Sequence, residues 1–124
     1  MHIEVISRRP ASGFSDRVPI LCVPGGFQGA WCWDEYFLPF FAEAGFEAHA
    51  LSLRGHGASD GHENINQWRL DDYVEDLATV ISKMPVQPVL IGHSVGGAVV
   101  QKYLEKHVAP AAILYVFTYR KKVH

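Results

Sequence analysis

The sequence predicts an α/β chain, with a mostly parallel sheet of about five strands and helices on both faces. Three observations predict it. Short apolar runs at 18–23, 46–53, 89–91 and 111–117 alternate with segments of helical spacing, as strands joined by crossover helices do. The first three runs each end on a glycine-containing turn, Pro24-Gly25-Gly26, Arg54-Gly55-His56-Gly57 and Gly92-His93-Ser94-Val95-Gly96. The 124 residues, 48% hydrophobic with a net charge of −2, suit one soluble globular domain over 1–124 with one core.

Residues 2–7 alternate as a half-buried strand, and 8–17, with Pro, Gly and Ser, form a loop. The strand at 18–23 stops at Pro24-Gly25-Gly26. Gly29-Ala30-Trp31-Cys32-Trp33 then leads into one helix, with Asp34 and Glu35 in its first turn and Gly45 as its stop. Trp31 and Trp33 are expected to lock the loop to the sheet, because tryptophan is mostly buried. A strand follows at 46–53, and its end holds Arg54 and His56 in a turn that bonds neighbouring loops. Residues 60–69 are polar and read as a surface loop. From Leu70, the apolar positions Tyr73, Leu77, Val80, Ile81 and Met84 repeat at helical spacing. Asp71, Asp72, Glu75 and Asp76 are expected at that helix's N-terminus and on its wet face. Residues 89–91 form a buried strand, 98–104 carry helical spacing until Pro110, and 111–117 form a last parallel strand.

Between the strand at 89–91 and its helix lies G-x-S-x-G. A strand that turns this sharply into a helix crowds the residues beside the turn, so Gly92 and Gly96 supply positions without a Cβ. Ser94 is left at the apex, its hydroxyl toward solvent and the helix's first N–H groups beside it. That is the position of a nucleophile. A serine hydroxyl needs a base, and the base an orienting carboxylate. After Ser94 the sequence has no Asp, and its later candidates are Glu105, His107 and His124. His107 falls about 20 Å down the helix axis from Ser94. An extended 118–124 tail covers more than ~20 Å, but no acid is at hand to orient His124.

Composition excludes several classes. The basic residues are scattered apart from Arg120-Lys121-Lys122, so nucleic-acid binding is not expected. No apolar segment is long enough to cross a bilayer, and the N-terminus lacks the pattern of a signal peptide, so a cytoplasmic setting is the default. Cys22 and Cys32 have no metal-ligand spacing, and Cys22 falls inside an apolar strand. No cofactor is implied.

The order of Pro24-Gly25-Gly26-Phe27, Gly29-Ala30-Trp31-Cys32-Trp33, Leu53-Arg54-Gly55-His56-Gly57-Ala58-Ser59 and Gly92-His93-Ser94-Val95-Gly96 resembles the first part of an α/β-hydrolase, over about 18–116. The resemblance implies a serine hydrolase acting through an acyl-enzyme on a small ester-like substrate. It assigns Ser94 as nucleophile and the backbone N–H groups of Phe27 and Val95 as oxyanion donors. Gly25-Gly26 stands where the family commonly reads His-Gly, which removes a side chain that props the loop. In this family the acid and the histidine follow later strands, so the chain reads as an incomplete α/β-hydrolase fold, truncated before both and weakly active or inactive as given. Two alternatives remain open. One is a non-catalytic module that binds or self-associates through an exposed sheet edge. The other is hydroxynitrile-lyase or methyl-esterase chemistry, which the Gly29-to-Trp33 stretch also resembles. A Ser rather than an Asp at the elbow argues against a haloalkane dehalogenase.

Overall fold

Strands β2 (Ile20–Val23), β3 (Ala48–Leu51), β4 (Val89–His93) and β5 (Ala112–Tyr115) run parallel, and β1 (Val5–Arg8) joins the edge antiparallel to β3. The computed structural model describes residues 1–25 and 28–115. Its sheet order is β1-β3-β2-β4-β5. Helices α1 (Trp31–Asp34), α2 (Phe37–Glu43), α3 (Leu70–Ser82) and α4 (Val95–Leu104) complete it, with a 3-10 turn at His62–Gln67.

The period-2 alternation of the strands divides the core in two. Leu21, Val23, Leu51, Leu53 and Leu90 face one way and pack against Leu77, Val80 and Ile81 of α3 and Val99, Val100 and Tyr103 of α4. Ile20, Cys22, Ala48, Ala50 and Ile91 face the other way and meet Trp33 of α1 and Leu38 of α2. Helices therefore cover both faces of a mostly parallel sheet, as the alternation predicts.

The details differ where a local rule intervenes. The one helix predicted after Gly29 is two. Pro39 lacks an N–H and its ring opposes the carbonyl four residues back, that of Glu35, so the helix breaks at Glu35 and Tyr36. Only one of the two tryptophans is a lock: Trp33 is buried, but Trp31, on the outer side of α1, is 60% exposed. Helix α4 ends at Leu104, before Pro110, because residues 105–108 are all exposed and hold no further turn to the sheet. The predicted strand residues 116 and 117 lie outside the described residues.

The acidic cluster of α3 also divides. Asp76 is not on the wet face: it is 2% exposed, with Arg54 Nη2 at 2.8 Å and the Arg54 N–H donating to it at 2.8 Å. A helix position one turn in from the acidic end is thus the anchor of the loop after β3. The Arg54 guanidinium also stacks over Trp68, 5.1 Å from the ring centre. At the other end of that loop, the Ser59 hydroxyl donates to the Ser52 carbonyl at 2.6 Å and accepts the Glu4 N–H at 2.8 Å. Both ends of the turn at 54–57 are therefore pinned by buried polar bonds.

Candidate active site

The elbow begins where β4 runs out of strand. Ser94 takes φ 55° and ψ −117°, and it is the one described non-glycine residue with positive φ. L-residues avoid this region because Cβ crowds the backbone, so the surrounding packing must impose it. Gly92 and Gly96 show how. A Cβ on Gly92 would lie 2.7 Å from the Gly96 carbonyl oxygen and 2.7 Å from the Gly97 Cα. One on Gly96 would collide with the carbonyl oxygens of Val23 and Pro24. The helix thus starts pressed against the ends of β2 and β4, and Ser94 is carried out over the sheet, exposed.

The Ser94 carbonyl accepts the first helical bonds, from Gly97 at 2.9 Å and Ala98 at 3.3 Å. The N–H of Val95 therefore has no acceptor within the helix and stands at its positive end beside the serine. An oxyanion forming on an acyl group held by Ser94 would meet it there. Phe27, the other donor implied by resemblance, lies outside the described residues.

The loop before α1 is held to the elbow by a side chain the sequence reading did not single out. Gln28 Oε1 accepts the Gly25 N–H at 3.2 Å and lies 3.3 Å from His93 Nδ1. Gln28 thus fills the propping role left open by Gly25-Gly26. Its signal in the sequence was an amide side chain in an otherwise glycine-rich turn.

The other candidates lie elsewhere. Glu105 caps the far end of α4, about 16 Å of helix from Ser94. His107 stacks on Tyr103 at 4.5 Å, also at that end. His124 lies outside the described residues. His56 is buried in the turn, its Nδ1 3.0 Å from the Arg54 carbonyl and its ring edge-on to Tyr73, which is the structural role expected of it. Among the described residues, Ser94 Oγ has no hydrogen bond to an imidazole, and no group of three or more His, Cys, Asp or Glu gathers as a metal site. Burial pushes the Cys22 thiol up to about 12, so it stays protonated and packs as a core side chain. No helix among the described residues is long and apolar enough to cross a membrane.

Comparison with known proteins agrees with this fold. The alpha/beta hydrolase fold family matches residues 18–118. Bifunctional epoxide hydrolase 2 of Sus scrofa is 34% identical over 83 residues, 66% of this chain and 15% of that protein. The non-heme chloroperoxidase of Burkholderia pyrrocinia is 34% identical over 104 residues, 80% of this chain and 35% of that protein. The thioesterase domain from the curacin biosynthetic pathway superposes with a TM-score of 0.68 at 26% identity, covering 81% of this chain and 34% of its own. The esterase EaEST from Exiguobacterium antarcticum shares the fold, with a TM-score of 0.76 at 23% identity over 90% of this chain and 40% of its own. The chain spans well under half the length of each of these proteins. The match over residues 18–118 of a chain whose strand β4 leads into a strained serine, flanked at two residues' distance by Gly92 and Gly96, places this chain in the α/β-hydrolase fold family.

Proposed function

We propose that this chain carries the nucleophile portion of a serine ester hydrolase. Ser94 Oγ attacks the ester carbonyl, and the N–H groups of Val95 and Phe27 receive the negative charge that develops on its oxygen. The alcohol leaves and an acyl-serine remains for water to hydrolyse. The observation that supports this most is the Ser94 backbone, which accepts strain in order to present an exposed hydroxyl at a helix N-terminus.

The relatives include an epoxide hydrolase and a chloroperoxidase as well as esterases. The chemistry of the side chain favours the esters. A serine that opened an epoxide would become an alkyl ether, which has no carbonyl for water to attack. An acyl-serine keeps that carbonyl, and the same backbone donors serve its hydrolysis. Hydroxynitrile-lyase or methyl-esterase chemistry would use the same serine.

Glu105 and His107 cannot orient or deprotonate Ser94 from the far end of α4. The described residues then supply a nucleophile with an oxyanion donor, and the rate expected of them is the residue left to a hydrolase without its base, about 10³–10⁴ over water. The test is to mix the protein with a p-nitrophenyl ester, quench in acid and map the acyl group by mass. Acyl-Ser94 that forms slowly and is absent in Ser94→Ala supports the reading. A folded protein with no acyl group on Ser94 overturns it.

A second reading rests on β5. This edge strand leaves Ile113 55% and Leu114 39% exposed, a surface suited to pairing with another chain. Concentration-dependent dimerisation with no acyl-Ser94 would favour a non-catalytic module.

A further inference from the structure

Three side chains line up across β1 and β3 at the other end of the sheet. Ser7 and His49 are direct cross-strand partners, and Glu47 precedes His49 by two residues, so the three share a face. The Ser52 N–H donates to the Glu4 carbonyl at 2.9 Å, which makes Glu4 and Ser52 a bonded pair. Counting along the register, Ser7 and His49 are then a non-bonded pair, the kind in which side chains approach most closely. Ser7 Oγ lies 2.6 Å from His49 Nδ1, and His49 Nε2 lies 3.0 Å from Glu47 Oε1. A carboxylate only accepts, so it holds the imidazole proton on Nε2 and leaves the Nδ1 lone pair to the Ser7 hydroxyl.

We propose that Ser7, His49 and Glu47 form a second acyl-transfer site, one that takes small activated carboxylic esters with an apolar acyl group.

The surroundings supply what the relay needs. His49 is 8% exposed, and its burial keeps the imidazole below its ordinary pKa, hence unprotonated and able to accept a proton at pH 7. The ring borders a cleft of about 260 Å³ walled by Val5, Thr79, Val80 and Met84. Ser7 lies outside it, two residues along β1 from Val5 on the same face, so a short acyl chain on Ser7 would reach it past the imidazole. Because Ser7 is in a non-bonded pair on the edge strand, its own N–H points away from β3 to the open edge, where it can bond a carbonyl oxygen. An exposed serine hydroxyl is satisfied by water, so strand pairing alone does not require the bond to His49.

In the reaction, Ser7 Oγ bonds to the acyl carbon and its proton passes to His49 Nδ1. The C–O bond to the leaving alcohol breaks, and His49 returns the proton to that oxygen. Water then attacks the acyl-Ser7 carbonyl with His49 as base, releasing the acid and restoring the hydroxyl. The site is separate from Ser94. His49 is level with Leu90 through Leu21, and Ser94 lies four residues farther along and two strands across, on the order of 16 Å away.

The experiment uses the Ser94→Ala protein with p-nitrophenyl butyrate, acid quench and peptide mapping across pH 5 to 8. The charged groups beside the ring are Glu47 and Arg9, 3.7 Å from each other, with His2 and Lys83 across the cleft. The expected result is butyryl-Ser7, absent in Ser7→Ala, forming about 100-fold more slowly in His49→Gln. Its rate should fall at low pH as His49 protonates. Glu47→Gln, at a half-exposed position, should slow it without threatening the fold. The proposal is overturned by a folded protein that gains no butyryl group on Ser7, or by one whose Ser7 reacts equally fast in His49→Gln and Glu47→Gln.

Discussion

Ser94 holds a backbone conformation that only glycine adopts freely, so its presence costs stability that its chemistry must justify. Ser94→Gly should therefore raise unfolding stability by about 1 kcal/mol while abolishing acylation. A urea titration checks the first effect, and a loss of stability would show that the serine side chain supports the fold. Gly96→Ala should act the opposite way, since its methyl has no space against Val23 and Pro24, and the variant should fail to fold. His49 carries a prediction in pH. Its folded pKa lies below the ordinary 6.5, so the unfolded chain binds the extra proton more readily. Stability is then full above about 6.5 and falls as pH drops through the window below it. The urea midpoint should fall less between pH 7 and 5 in His49→Gln than in the parent. Of these residues, Gly92, Ser94 and Gly96 were legible in the sequence because a contiguous motif carries its own geometry. Ser7, Glu47 and His49 were not, because their meeting depends on strand register. The alternation of Glu47 and His49 on one strand was the available signal.

At the scale of elements, the turn after β3 depends on a charge pair between a loop and a helix. Arg54 and Asp76 are both buried and bonded at 2.8 Å, and the pair holds the Arg54 guanidinium above its ordinary pKa. Removing one partner leaves the other's charge buried, so Asp76→Ala should cost about 3–5 kcal/mol in a denaturation experiment. A loss under 1 kcal/mol would mean that water reaches the guanidinium. Helix α3 was legible to its first residue because apolar spacing and an acidic start agree. The buried role of Asp76 was not, since an acid in the first turns of a helix already has a local explanation. The break between α1 and α2 could have been read from Pro39, whose ring reaches back to Glu35.

Across the whole molecule, the parallel sheet gathers the ends of β2 and β4 beneath the elbow and leaves β1 and β5 as its two edges. The order of strands follows from crossovers that sequence alternation predicts only as a class. The fold was therefore legible while the neighbours of each strand were not. The exposed Ile113 and Leu114 on β5 predict concentration-dependent association in sedimentation runs, weakened by Ile113→Lys. Unchanged association in that variant would place the contact elsewhere. The central claim, that the elbow makes Ser94 a nucleophile, is tested most directly by labelling the purified chain with a fluorophosphonate and reading intact mass and site. The account predicts slow labelling at Ser94 in preference to other serines, lost in Ser94→Ala. A folded chain that stays unlabelled at Ser94 would contradict it.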